Sequence, residues 1–203
     1  MTEVEWLACT DPTPMLNFLR GKASDRKLRL FAVACCRRIS HLLTDVRSRF
    51  VVNVMERYAD GVVNDAVLIR SHSVAQAAYK DYLDKFVYRF VLHVTEPRAE
   101  DAAWKCAHHR GPQEWHKIER VLLLRDIFDN PFCPVTINAS WLTPTVKSLA
   151  QKIYDDRTFD QMPLLADELE KAGCDNTEIL GHCRGSGLHV RGCWALDLVM
   201  GKG

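Results

Sequence analysis

The sequence predicts an all-α fold: a single irregular bundle of about eight or nine helices with a loop-rich C-terminal part. Three observations carry that expectation. Apolar residues recur at three- and four-residue spacing along most of the chain, the period at which one helix face is buried. Capping residues and helix-initial prolines precede these stretches, and glycines follow them. The best strand candidate, Val135-Thr136-Ile137, is too short to define a sheet.

Thr13-Pro14 reads as a cap followed by a first-turn proline, with Met15, Leu16, Phe18 and Leu19 behind it and Gly21 as the stop. Ser24 caps a helix expected to run to about Leu43. Its apolar stripe is Leu28, Phe31, Cys35, Ile39 and Leu42, and Arg26, Arg29 and Arg37 line the other side as a basic face. Cys35 sits mid-stripe and is expected to be buried and chemically silent. Asp45 caps a third helix closed by Asp60-Gly61, and Asn64 is a candidate cap for a fourth. The stretch 73–93 reads as one amphipathic helix, with Tyr79, Leu83, Phe86, Val87, Phe90 and Val91 on one side and an Asp81–Lys85 pair on the other. Glu96-Pro97 opens a helix that Gly111-Pro112 ends, and 113–128 forms another through Trp115, Ile118, Val121, Leu122 and Ile127. Two prolines in Asn130-Pro131-Phe132-Cys133-Pro134 exclude a helix there, so 130–143 is the one expected seam in an otherwise single domain spanning 1–203. Helices then start at Thr143-Pro144, Met162-Pro163 and Asn176, with Gly173 ending the second, and 190–200 is a last apolar segment.

Composition narrows the function classes. With 203 residues, 47% hydrophobic and 26% charged, the chain can bury a sizeable core and is not of disordered type. The net charge of +1 gives no global attraction to nucleic acid or membrane. Charge is nevertheless uneven. Residues 20–57 hold ten Lys/Arg against Asp25, Asp45 and Glu56, whereas 155–178 hold eight Asp/Glu against Arg157 and Lys171. Acidic residues and no apolar core follow Met1, so no signal peptide is expected, and no apolar run approaches the roughly 20 residues of a membrane span. The expectation is a cytoplasmic protein whose eight cysteines are reduced thiols.

The richest chemistry lies in 174–194, which contains Cys174, His182, Cys183, His189 and Cys193 among four glycines. Thiolates and imidazoles suit zinc, and Cys174, Cys183, His189 and Cys193 would form a tetrahedral set, with His182 as an alternative ligand. No CxxC pair anchors the cluster, so the leading expectation is core cysteines without a cofactor, and zinc is the alternative. Arg184 and Arg191 make the same glycine-rich loop a candidate anion site. The loop resembles the phosphate-binding loop of cysteine phosphatases, where five residues separate the cysteine from an arginine. Here His189 occupies the arginine's place and Arg191 comes two residues late, so phosphate-ester hydrolysis is not expected. A weaker group is Cys106, His108 and His109, with His116 beyond; basic residues there also suit the end of a helix. No Walker loop, dinucleotide fingerprint, HExxH or GxSxG occurs.

Several stretches resemble a family of uncharacterised bacterial proteins abundant in planctomycetes. They are Glu5-Trp6-Leu7-Ala8-Cys9-Thr10-Asp11-Pro12, Gly21-Lys22-Ala23-Ser24-Asp25-Arg26-Lys27-Leu28-Arg29-Leu30-Phe31, Cys35-Cys36-Arg37-Arg38, Leu124-Arg125-Asp126-Ile127-Phe128, Asn130-Pro131-Phe132, Trp141-Leu142-Thr143-Pro144-Thr145 and the 174–194 segment. The middle of the chain, 62–119, departs from the alanine-rich middle of that family. The resemblance implies a bacterial, cytoplasmic protein and supplies no mechanism. With no complete catalytic constellation, the chain reads as a non-enzymatic helical interaction or scaffold module for a protein partner. Nucleic acid and membrane are not the expected partners. The rival readings are an enzyme or anion-binding protein using the 182–191 loop, and a zinc-stabilised or weakly nucleic-acid-binding module.

Overall fold

Helices occupy most of the described residues, and no strand forms among them, so the all-α class is observed. The structure, a computed structural model, describes residues 1–82, 85–109 and 117–203, with Lys85 described by its backbone alone. No helix among them is long and apolar enough to cross a membrane. Two compact units divide the chain, Glu3–Leu124 and Arg125–Gly203, and the division falls inside a helix rather than in 130–143.

The first unit contains α1 (Glu3–Ala8), α2 (Pro12–Leu19), α3 (Asp25–Arg38), α4 (Val46–Ala59), α5 (Asp65–Asp81), α6 (Lys85–Val94), α7 (Ala99–His108) and most of α8 (Lys117–Phe128). Helix α1, which no cap announces in the sequence, buries Trp6. Helix α2 starts two residues earlier than expected because Asp11 accepts from the Thr13 amide at 2.8 Å. Ser24 and Asp45 cap α3 and α4 through the amides of Lys27 and Arg47, as their residue types predict. Gly21 and Gly61, after α2 and α4, take the positive φ that a glycine stop supplies.

Helix α3 organises this unit. It packs on α4, α6 and α7, and every residue from Leu28 to Cys36 is buried. A helix buried on so many sides has no room for a free basic face. Arg29 is buried and donates to the carbonyls of Glu96 and Pro97 at 3.0 and 2.6 Å. Arg26 pairs with Asp60 at 3.0 Å. Arg37 forks onto both oxygens of Glu56, at 2.9 and 2.8 Å. The arginines expected to face a partner hold the helices to one another instead. Helix α3 also stops at Arg38, five residues short of the expected end, leaving Leu42 at the edge of exposure in a short 3-10 turn.

The stretch 73–93 is two helices. Helix α5 ends at Asp81, Tyr82 is extended, and α6 begins at Lys85; the Tyr82 ring stacks on Tyr88 at 4.2 Å. Asp81 pairs with Arg47 at 2.8 Å. The expected Asp81–Lys85 pair, Leu83, the Gly111-Pro112 stop, the 113–116 start of the next helix with Trp115, and His116 lie outside the described residues.

The second unit holds the end of α8, then α9 (Pro144–Asp156), α10 (Met162–Lys171), α11 (Thr177–Arg184) and α12 (Trp194–Met200). Thr143 and Asn176 cap α9 and α11, and Gly173 takes φ 91° after α10. Val146, Ile153, Leu165, Leu169, Ile179 and Leu196 form its apolar centre. Val135-Thr136-Ile137 is irregular, and the last helix starts at Trp194, four residues after the expected apolar segment begins.

Because Glu56 is almost fully buried beneath Arg37, Arg37→Met should destabilise the first unit by about 1–3 kcal/mol in urea unfolding, the range for stripping a partner from a buried polar group. A change within about 0.5 kcal/mol, normal for a solvated face, would contradict this pairing.

Candidate metal centre

Four side chains of the second unit converge: Asp126, His182, His189 and Cys193 each offer one ligand atom, and these atoms all lie within 4.8 Å of one another. Local structure delivers each. Asp126 is in the last turn of α8, which ends where Asp129 turns left-handed at φ 54°. His182 is in the last turn of α11. His189 follows the glycine-rich exit of that helix. Cys193 is the residue before α12, reached through Gly192 at φ 89°, and its amide donates to the Val190 carbonyl at 2.9 Å. Arg191 fixes the loop from the other side, donating to the carbonyls of Tyr154 at 3.0 Å and Asp155 at 3.3 Å while lying over the Tyr154 ring.

Asp126 is the charged member. A carboxylate in a helix's last turn faces the negative end of the dipole, and this one is buried, so compensation is required. Its Oδ2 accepts from the Val190 amide at 2.9 Å. Its Oδ1 lies 3.1 Å from His189 Nδ1 and 3.3 Å from His182 Nε2. Cys193 Sγ lies 3.1 Å from His182 Nε2 and 3.7 Å from His189 Nδ1. On the far side of His182, the Trp194 indole N–H donates to Nδ1 at 3.1 Å. That donor assigns the His182 proton to Nε2, which points into the cage. The other nitrogen of His189, Nε2, is buried with no hydrogen-bond partner among the described residues.

These separations are those of a coordination shell. Bonds of about 2.0–2.2 Å to nitrogen and oxygen and about 2.3 Å to sulfur place the corners of a tetrahedron roughly 3.3–3.6 Å apart. Four of the six edges, 3.1 to 3.7 Å, straddle that range, and all six fall within 4.8 Å. The charges also balance: one carboxylate, one thiolate and two neutral imidazoles cancel a divalent ion, as a buried site requires.

Of the ligands expected from sequence, the structure brings His189 and Cys193 together and recruits His182, the alternative. Cys174 and Cys183 stand outside the group, buried among the apolar side chains of the second unit. Burial pushes the Cys183 thiol up to about 12, and it raises Cys193 and Cys174 as well. A fully buried, neutral Cys183 is no nucleophile. Arg184 and Arg191 do not converge on an anion: Arg184 pairs with Asp167 and Glu170 at 2.8 and 2.6 Å, and Arg191 serves the loop. Open clefts of about 700, 670 and 660 Å³ are lined by other residues. Asp126 escaped sequence reasoning. Its one local signal is an acid against the helix dipole inside the apolar run Leu124-Arg125-Asp126-Ile127-Phe128.

The weaker group does not assemble either. Cys106 is fully buried; His108 stacks on Trp104; His109 donates through Nε2 to the Phe86 carbonyl at 3.1 Å. His93 packs edge-on against His109. Burial lowers both His93 and His109 to about 4, and for His93 the neighbouring His109, Lys105 and Arg89 add to it. Between roughly pH 6.5 and 4 the unfolded chain therefore holds more protons than the folded one, so stability falls as the pH drops through that window. His93→Gln should flatten this part of the melting-temperature profile relative to wild type, and an unchanged slope would show that His93 is not buried neutral.

Native thiol labelling should modify exposed Cys133 first and spare Cys35, Cys36, Cys106, Cys183 and Cys193. Mass mapping of the labelled peptides reads the order. Early modification of Cys183 or Cys193 would contradict the burial on which the non-nucleophilic reading rests.

No protein-family model, curated protein or solved structure matches the chain, so its functional reading rests on the chemistry of the centre itself.

Proposed function

We propose that the chain is a non-enzymatic helical module whose second unit is organised by one zinc ion held by Asp126, His182, His189 and Cys193. The observation that carries this reading is the convergence of four donors within 4.8 Å of one another in a charge-balanced, largely buried cage. A mixed sulfur, nitrogen and oxygen set favours zinc over calcium or magnesium, which take oxygen ligands. Four protein ligands leave no open position for a substrate or an activated water, which is the mark of a structural rather than a catalytic site. Burial keeps the Cys193 thiol neutral without a cation; a coordinated divalent ion reverses that balance and takes the thiolate. Val46 and Phe50, exposed one turn apart on α4, are the apolar surface a protein partner would cover. Phe50→Asp should then abolish any association seen by light scattering.

Protein purified without chelator should carry about one zinc per chain by elemental analysis, as a single four-ligand site requires. Asp126→Asn and Cys193→Ser should each lose it, whereas Cys174→Ser and Cys183→Ser should keep it. Chelation should speed hydrogen exchange in 185–193 and α12 and leave α9 and α10 protected. Metal-free protein, or zinc that depends on Cys174 and Cys183, would refute this ligand set.

A further inference from the structure

We infer that this centre is a reversible, metal-responsive one: the Trp194 indole latches a metal-free, hydrogen-bonded arrangement and has to release His182 for zinc to bind. The inference rests on the zinc reading above and concerns how that site is regulated.

The cage is self-consistent without a cation. Trp194 donates to His182 Nδ1, so the ring proton sits on Nε2, 3.1 Å from Cys193 Sγ and 3.3 Å from Asp126 Oδ1. Asp126 also accepts from the Val190 amide and from His189. Two donors thus hold one buried carboxylate, with the His182 N–H beside it directed to Cys193 Sγ. Zinc needs the Nε2 lone pair of His182. In the neutral ring the proton must then sit on Nδ1, which faces the Trp194 N–H. Two donors cannot remain at 3.1 Å, so the indole has to move.

A ligating histidine ordinarily gives its second N–H to a carboxylate, carbonyl or water, which fixes the tautomer and strengthens the ligand. Neither histidine here has that arrangement. His182 meets a donor, and His189, approached through Nδ1, would carry its proton on an Nε2 that is buried with no partner among the described residues. Outer partners of this kind are worth roughly 10- to 100-fold in metal affinity. Their absence on both rings gives a four-donor shell with a weakened hold on the ion. Zinc then exchanges, and each exchange moves Trp194, the first residue of α12.

The test uses the full chain labelled with ¹⁵N and zinc chloride titrated against a chromophoric chelator. The Trp194 indole N–H cross-peak, identified by its loss in Trp194→Phe, should shift in step with one equivalent of zinc. Trp194→Phe keeps an aromatic ring without the opposing donor, and it should bind zinc about 10-fold more tightly than wild type. Stoichiometric zinc with an unmoved cross-peak, or with equal or weaker binding by Trp194→Phe, would overturn the latch while leaving the zinc site intact. No uptake by wild type would overturn the zinc site and the latch together. Should Trp194→Phe not fold, the wild-type cross-peak, assigned from its contacts to the His182 ring, decides alone.

Discussion

The second unit turns on one buried negative charge. Asp126 sits where the dipole of α8 opposes a carboxylate and where water is excluded, so it must be met by donors or by a cation. What meets it is the segment from α11 to α12. The Val190 amide and the His189 ring donate to its two oxygens, and the His182 ring lies 3.3 Å from one of them. Arg191 pins the same loop to the last turn of α9 through backbone carbonyls. A loop of glycines and polar residues with little apolar surface of its own thereby acquires a fixed shape. The shape follows from satisfying the charge, and the donor cage is a consequence of that shape.

The same geometry commits the side chains that a reactive 182–191 loop would use. A catalytic thiol needs access and a lowered pKa, whereas the thiols here are sealed and raised by burial. An anion site needs uncommitted donors, whereas Arg184 and Arg191 are engaged by acids and carbonyls within the unit. In the first unit the arginines of α3 follow a related logic. A helix buried from Leu28 to Cys36 can carry long basic side chains only where their heads find internal acceptors, so Arg26, Arg29 and Arg37 became struts between helices.

Helix punctuation was legible because it is local. Ser24, Asp45, Thr143 and Asn176 cap helices through their own side chains, and Gly21, Gly61 and Gly173 stop them. The break after Asp81 was not legible, because apolar spacing continues across it and the Tyr82–Tyr88 stack that marks the corner exists only after folding. At the centre, His189 and Cys193 were legible as close neighbours on a turning loop. His182 and Cys183 posed a choice that sequence leaves open: adjacent helical residues point about 100° apart, so only one can enter the cage. His182 does, and Cys183 joins the core. Asp126 comes from a helix distant in sequence, and a ligand of that kind becomes visible only when the chain closes on itself.

An independent apolar core decides what a metal can do here. A zinc finger lacks such a core, and its fold appears and disappears with the ion. The second unit instead buries Val146, Ile153, Leu165, Leu169, Ile179 and Leu196 among α9 to α12, an apolar core that does not depend on the cage. Binding free energy therefore acts on the part of the unit that the core holds least, the 185–193 loop and the start of α12. Under the proposed zinc binding, two proton arrangements of His182 would compete there, one closed by the Trp194 N–H and one open to a cation. An ion can shift such an equilibrium only by its differential affinity for the two states. The indole hydrogen bond creates that difference, because it exists in one arrangement and is forbidden in the other. Under that proposal, a residue that makes no bond to the metal sets how readily the metal is held.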